Sequence, residues 1–234
     1  MATTTPNIIT AFLEEPWYYL MGGFVLAFLF QTVSAALAGV YFILLAVDAF
    51  AYLSLKPVLN FNSVSGNTKQ AIVYAVVAFA AFIAISVFTI NFFQASANLT
   101  LSSVMDRIGG ATFGATTKPI LENNPIAIFI IGAVLIPIIE TKSLIARLME
   151  ILSRIFKLTL DLKSPSTWVM FLIVSGIGVA FHFQAKGITD NIALALTFIF
   201  WLVSCFLIVK TRESESAVYV HGLNNGVTLS RMLG

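Results

Sequence analysis

Long stretches without a charged side chain alternate with short polar segments along this chain of 234 residues. Residues 24–47 and 70–93 each form a run of 24 uncharged residues. Such a run makes about 36 Å of α-helix at ~1.5 Å per residue, which exceeds the ~30 Å hydrocarbon core of a bilayer. Residues 191–209 form a third uncharged run, of nineteen residues. The three runs predict membrane-spanning helices.

A further helix is predicted from a shorter apolar run. Residues 126–139 are apolar for 14 residues, which is too few to cross a bilayer. Apolar residues nevertheless continue at helical spacing as far as Ile155, so we expect a single helix over residues 125–157 with a bend at Pro137. Glu140 then lies near the midpoint of this helix.

Small polar residues mark the expected starts of two helices. The apolar residues 168–183 follow a polar segment in which Ser166 or Thr167 is expected to cap the helix. Thr189 or Asp190 is expected to cap the next one, because either side chain can accept a hydrogen bond from the first backbone amides. Both helices therefore have a defined beginning in the sequence.

Two segments are more polar than the runs around them. Residues 95–124 are rich in glycine and polar side chains, so we expect an interfacial loop with a short helix near residues 99–108. Residues 217–234 are only moderately apolar. They predict a final helix whose polar face turns into the bundle, since polar groups inside a membrane avoid lipid and seek partners.

The composition agrees with a membrane protein. Hydrophobic residues make up 59% of the chain and charged residues 10%, against roughly 25% charged in ordinary soluble domains. The mean hydropathy of +0.94 would force a soluble globule to expose large apolar patches. The net charge of +2 is spread thinly and shows no nucleic-acid footprint. Cys205 is the single cysteine and therefore has no disulfide partner within the chain.

These features predict an all-α fold, a polytopic transmembrane bundle of about six to seven membrane helices with a polar cavity. We expect one integrated membrane domain, with N-terminal membrane helices and an interfacial loop over residues 1–124 and a helical core over residues 125–234. Its partners would include membrane lipids, and no nucleic acid. We expect a multi-pass protein of a prokaryotic cell membrane, and the sequence leaves the oligomeric state open.

Three ionisable side chains in membrane-associated segments are candidates for chemistry. Glu140, His182 and His221 include both histidines of the chain. Strongly charged groups at the centre of a membrane helix cost about 2.5 to 3.5 kcal/mol on insertion scales, so such residues are usually functional. Arg147 lies two helical turns after Glu140 and Asn225 one turn after His221, so each pair shares a helix face.

The order and spacing of these residues resemble the CAAX-processing and bacteriocin-processing intramembrane glutamate proteases. The family ends in a His-x-x-x-Asn motif, often with a second Asn, and residues 221–225 (His-Gly-Leu-Asn-Asn) match it. Residues 175–182 resemble the second motif, a helix that ends in His, although Gly178 stands where the family has Phe. The first motif is a Glu-Glu pair followed by Arg, whereas here Thr141 follows the glutamate and Arg147 comes two positions late. The resemblance covers residues 126–225.

The resemblance implies an intramembrane endopeptidase that needs no metal and no cofactor. Glu140, assisted by His182, would activate a water molecule that attacks a peptide bond. His221 and Asn225 would stabilise the oxyanion, and Arg147 would orient the glutamate. The substrate would be a membrane-associated peptide or protein.

Two other classes of function remain open. Two histidines and a glutamate are a possible zinc set, which would make a metal-dependent membrane hydrolase, although no local motif such as His-Glu-x-x-His is present. A non-catalytic scaffold or accessory subunit could use the same polar groups to hold helices together.

The protease hypothesis also requires a particular geometry. If the spans were strictly the apolar runs, Glu140 and His182 would lie about 20 Å apart at opposite membrane faces, so both must be drawn toward middle depth.

Overall fold

The computed structural model describes residues 68–93, 100–113, 125–146, 148–149, 152–153, 156–158, 160–185 and 189–233. Within these ranges the protein is all-helical, without a strand, which confirms the predicted fold class at that level. The predictions made for residues 1–67, including the span at 24–47, lie outside the described residues.

The helices follow one another in chain order and are labelled here by their bounds. They are α1 (Thr68–Phe93), α2 (Leu101–Phe113), α3 (Pro125–Ile130), a π-helical turn (Ile131–Leu135), α4 (Ile136–Ile139), a second π-helical turn (Glu140–Ala146), α5 (Pro165–Ala185), α6 (Asn191–Thr211) and α7 (Glu215–Leu233). The continuous helical path over residues 125–146 is called the mixed helix below.

Three of the described helices are long and apolar enough to cross a membrane. They comprise Lys69–Phe93, Pro165–Phe183 and Asn191–Thr211. The predicted spans at residues 70–93 and 191–209 are therefore confirmed as helices of sufficient length and apolarity. Large apolar side chains also stand out from the bundle, such as Phe88 at 71% and Phe92 at 74% exposure. Such surfaces suit lipid rather than water.

The starts of α5 and α6 depend on short-range chemistry. Asp190 caps α6, because its Oδ1 accepts hydrogen bonds from the backbone amides of Ile192 at 2.7 Å and Ala193 at 3.0 Å. This confirms one of the two predicted caps. α5 begins at Pro165, so the prediction that Ser166 or Thr167 precedes the helix was wrong. Proline suits the first helical position because the amide it lacks would have no partner there.

The mixed helix alternates between α and π geometry around Pro137. Proline has no backbone N–H, and its ring crowds the carbonyl four residues earlier, so a regular α-helix cannot pass through it unchanged. A π-helical turn lies on each side of the short α4 that contains Pro137. The helix was predicted to run to about Lys157; residues 148–149 and 152–153 are helical, whereas Phe156 and Lys157 form a turn in which Lys157 has a φ of 52°.

The segment expected to be an interfacial loop contains a packed helix. α2 is longer than the short helix predicted near residues 99–108, and it buries Val104, Met105 and Ile108. Its flanks at residues 94–99 and 114–124 lie outside the described residues. α2 packs against α6 and α7. Its polar residues Asp106 and Arg107 pair with Arg231 and Asp190, each at 3.0 Å.

α6 and α7 form the centre of the described bundle. α5 packs along α6, while α7 contacts α1, α2, α6 and the mixed helix. α7 has a buried polar face, as the sequence predicted for the tail. Its members are Ser216, His221, Asn224, Asn225 and Thr228. This polar face meets the π-helical part of the mixed helix and so determines where the candidate site can form.

Candidate functional site

A small cavity lies where α7 faces the mixed helix, α5 and α6. It has a volume of about 20 Å³ and is lined by Phe82, Ile108, Glu140, His182, Leu196, Thr197, Phe200, Trp201, His221 and Asn224. A cavity needs about 10 to 15 Å³ of such volume to hold one water molecule. Three predicted site residues, Glu140, His182 and His221, therefore line one cavity large enough for a single water.

Glu140 and His221 form a buried ionisable pair in this site. Their atoms Oε2 and Nε2 are 3.5 Å apart, and each residue is 4% exposed. Glu140 is the first residue of the second π-helical turn, whereas His221 is on α7. At this distance each group can compensate part of the cost of burying a charge on the other.

The other nitrogen of the His221 ring is held by Thr141. Thr141 Oγ1 and His221 Nδ1 are 3.2 Å apart, and Thr141 is completely buried. Sequence reasoning treated Thr141 only as a departure from the pattern, since nothing local in the sequence indicates a contact that spans 80 residues.

His182 is oriented by its own helix. Its Nδ1 lies 2.8 Å from the carbonyl oxygen of Gly178, one turn earlier on α5. Because a carbonyl oxygen only accepts, Nδ1 carries the proton, and Nε2 is the basic nitrogen of the neutral ring. The ring also makes an edge contact with Trp201, with ring centroids 6.0 Å apart. His182 is 4% exposed.

Gly178 allows the neighbouring tryptophan to pack beside His182. A Cβ at this position would come within 2.6 Å of three ring atoms of Trp201. Trp201 is 1% exposed and lines the cavity. An aromatic ring from α6 therefore packs against α5 beside His182. The tryptophan ring occupies the space that a side chain at position 178 would fill.

The two asparagines of α7 have different surroundings. Asn225 is not among the residues that line the cavity; its Nδ2 donates to the carbonyl oxygen of Gly132 at 2.8 Å. Asn224 lines the cavity, and its Nδ2 lies 3.4 Å from Asn225 Oδ1. The sequence-based choice of Asn225 as the amide beside His221 therefore differs from the geometry. Residues three and four positions away share a helix face with His221, so spacing alone could not separate them.

Arg147 lies outside the described residues, and its predicted orienting role stays a prediction.

The charged residues at the start of α7 are not among those that line the cavity. Lys142 Nζ is 3.8 Å from Glu215 Oε1. Partial burial raises the pKa of Glu213, the Glu215 carboxylate raises it further, and a hydrogen bond from Ser216 opposes both effects.

The candidate site is defined by its own geometry and not by likeness to a known protein. Among the described residues, no three His, Cys, Asp or Glu side chains are grouped so that they could hold a metal ion. No family model, no curated protein and no solved structure matches the chain.

Proposed function

We propose that this protein is an intramembrane endopeptidase in which Glu140 activates water, as the resemblance to the CAAX-processing and bacteriocin-processing proteases implies. One observation carries the proposal. Glu140, His182 and His221 come from three separate helical segments, yet they line a single cavity with room for one water molecule. The proposal includes the finer expectations of six to seven spans, a polar cavity and a prokaryotic cell membrane.

The chemistry is a balanced hydrolysis. Glu140 takes a proton from water as the water oxygen bonds to the carbonyl carbon of the scissile peptide. The C–N bond then breaks, and the proton passes from Glu140 to the leaving nitrogen. The products are a carboxylic acid and an amine. His182 would hold the water through Nε2, since the Gly178 carbonyl occupies its Nδ1–H.

Two donors are available for the negative charge that develops on the carbonyl oxygen. His221 presents Nε2 on the side of Glu140, and the amide of Asn224 lines the same cavity. Preorganised donors of this kind stabilise a tetrahedral intermediate, and losing one typically costs about 10²- to 10³-fold in rate. We assign this role to Asn224 rather than Asn225 because Asn224 lines the cavity, and its Nδ2 carries two hydrogens, of which the bond to Asn225 Oδ1 uses one.

Burial supports a functional use of these groups. Glu140, His182 and His221 are each only 4% exposed, and Asn224 is 3% exposed. Burying four polar side chains is costly, because each loses a favourable hydration free energy that an apolar side chain does not have. A scaffold could hold helices together with hydroxyl and amide groups alone. An ionisable acid beside two imidazoles suits proton transfer better.

Hydrolysis in heavy-oxygen water tests the proposal. The purified protein in lipid vesicles is incubated in H₂¹⁸O with a defined library of single-span and lipid-anchored peptides, and the products are analysed by mass spectrometry. We expect cleaved peptides whose new carboxyl terminus carries one ¹⁸O atom. Glu140→Gln should lower the rate by about 10²- to 10⁴-fold, the usual contribution of a general base. Glu215→Gln removes a carboxylate that does not line the cavity and should leave the rate unchanged.

Two outcomes would count against the enzyme. Full activity of Glu140→Gln would remove the glutamate mechanism. Failure of the wild-type protein to cleave any peptide of the library, with the fold intact by circular dichroism, would favour the scaffold or accessory function.

A further inference from the structure

Thr141 differs from the other hydroxyl-bearing residues of the described helices. Six of these hydroxyls donate to the carbonyl oxygen four residues earlier on their own helix. They belong to Ser86, Thr89, Thr197, Ser204, Thr211 and Ser230. Within the described part of the chain, the hydrogen-bond partner of the Thr141 hydroxyl is instead His221 Nδ1, at 3.2 Å.

The position of Thr141 accounts for this difference. It is the second residue of the π-helical turn Glu140–Ala146 and follows Pro137 by four positions. The wider turn changes the local backbone register, and the side chain is directed at α7. The hydroxyl proton is therefore available for a partner on another helix.

Two polar neighbours of the His221 ring influence which of its nitrogens carries the hydrogen. Glu140 Oε2 lies 3.5 Å from Nε2, which is an ion-pair distance rather than a hydrogen bond, and an ionised carboxylate attracts the ring hydrogen to the nearer nitrogen. The neutral ring is therefore favoured with its hydrogen on Nε2, which leaves Nδ1 as an acceptor. A hydroxyl can donate or accept, so the Thr141 hydroxyl can complete this arrangement by donating to Nδ1.

We propose that Thr141 is a positioning residue, which holds neutral His221 in the Nε2–H tautomer with the N–H directed into the cavity. Its value for catalysis rests on the proposed function: a ring that stabilises an oxyanion must present a hydrogen there, and the other tautomer would present a lone pair.

Nitrogen NMR of the histidine rings tests this inference without any substrate. The chain has only two histidines, so ¹⁵N-histidine labelling in lipid nanodiscs gives two pairs of ring nitrogens. His221→Gln assigns them. At pH about 9, where histidine rings are ordinarily neutral, we expect wild-type His221 to show a protonated Nε2 and an unprotonated Nδ1. An Nδ1-protonated or doubly protonated ring would overturn the proposal.

Variants of the hydroxyl extend the test. Thr141→Val should make His221 a mixture of tautomers and lower hydrolysis about three- to tenfold, the equivalent of one ordinary hydrogen bond. Thr141→Ser should restore the wild-type ring signals and the rate. Thr89→Val, whose hydroxyl serves only its own helix, should leave the His221 signals unchanged. Unchanged His182 signals in each variant show that the fold is kept.

The inference and the proposed function can fail separately. Unaltered His221 signals in Thr141→Val would refute the positioning role, whatever the activity. Wild-type protein with the expected tautomer but no hydrolysis would refute the enzyme and leave the Thr141–His221 relationship standing.

Discussion

The side-chain amide of Asn225 donates a hydrogen bond to the carbonyl oxygen of Gly132 at 2.8 Å. In a π-helix a carbonyl accepts from the amide five residues later. For Gly132 that residue is Pro137, which has no N–H to give. α7 supplies the donor instead, and Gly222 lets it approach closely, since a Cβ there would lie 3.0 Å from the Ala133 carbonyl oxygen. Asn225 therefore joins α7 to the mixed helix rather than facing the cavity.

This relationship predicts a compensating pair of substitutions. Asn225→Ala removes the donor to a buried carbonyl and should lower the free energy of unfolding by about 1 to 3 kcal/mol. Adding Pro137→Ala restores a backbone N–H to the mixed helix, so Asn225→Ala should cost less stability in the Pro137→Ala background than in the wild-type protein. Denaturation in detergent micelles, followed by circular dichroism, measures both values. If the effects of the two substitutions simply add, the proposed relationship between Pro137 and Asn225 is wrong.

The contact between Gly178 and Trp201 predicts opposite outcomes for two glycines of α5. Gly178→Ala forces a Cβ into the tryptophan ring and should destabilise the protein by about 1 to 3 kcal/mol, as overpacking does. Gly176→Ala is the matched control, because no atom lies within 4 Å of its added Cβ. That change should be neutral or should stabilise by up to ~1 kcal/mol through helix propensity. Equal melting temperatures for the two variants would contradict the close packing at Gly178.

Glu213 predicts a pH dependence of stability with a definite sign. Its pKa is raised in the folded state, mainly by burial and then by Glu215, so the folded protein holds this proton more tightly than the unfolded chain. Stability from this group is therefore present at low pH and declines as the pH rises from the ordinary glutamate value through the raised one. Glu213→Gln should be more stable than wild type at pH 7, and the difference should vanish below pH ~4.

Unfolding curves of both proteins between pH 4 and 7 check this expectation. Glu215→Gln is a second variant with a predicted direction, because removing its carboxylate should weaken the pH dependence contributed by Glu213. A wild-type protein that gains stability over Glu213→Gln as the pH rises would show the opposite sign and reject the assignment.

Removal of metal ions should leave hydrolysis unchanged. The proposed mechanism places the proton on Glu140 and the oxyanion on His221 and Asn224, so no step requires a metal. Incubation with EDTA or 1,10-phenanthroline, followed by the peptide assay, measures the effect. Loss of activity with chelator and recovery on adding zinc would instead support the metal-dependent hydrolase, for which two histidines and a glutamate are a possible ligand set.

Hydrophobic pattern and capping chemistry predicted most of the described helices. α1, α5 and α6 follow uncharged runs, and α7 turns a polar face inward as expected. The segment around α2 was harder, because its glycine-rich, polar composition resembles that of a loop. Pro137 indicated a bend, whereas the two π-helical turns beside it depend on packing against α7.

The site was predictable only in part. Glu140, His182 and His221 were candidates because ionisable groups are costly inside a membrane. Their presence around one cavity could not be read from the sequence, since it depends on how three distant segments pack. The placement of the two asparagines has the same origin: one turn of helix allows either residue to face His221, and the hydrogen bond of Asn225 to Gly132 could not be read from the sequence.

A distance between Glu140 and His221 tests the central claim most directly. Protein labelled with ¹³C at the side-chain carboxyls of its seven glutamates and with ¹⁵N in its two histidine rings can be studied in lipid bilayers by solid-state dipolar recoupling. With Nε2 and Oε2 3.5 Å apart, we expect one glutamate carboxyl signal to be strongly dephased by a ring nitrogen, and this dephasing to disappear in both Glu140→Gln and His221→Gln. If no carboxyl signal is dephased, or if the dephased one survives Glu140→Gln, the shared site does not exist.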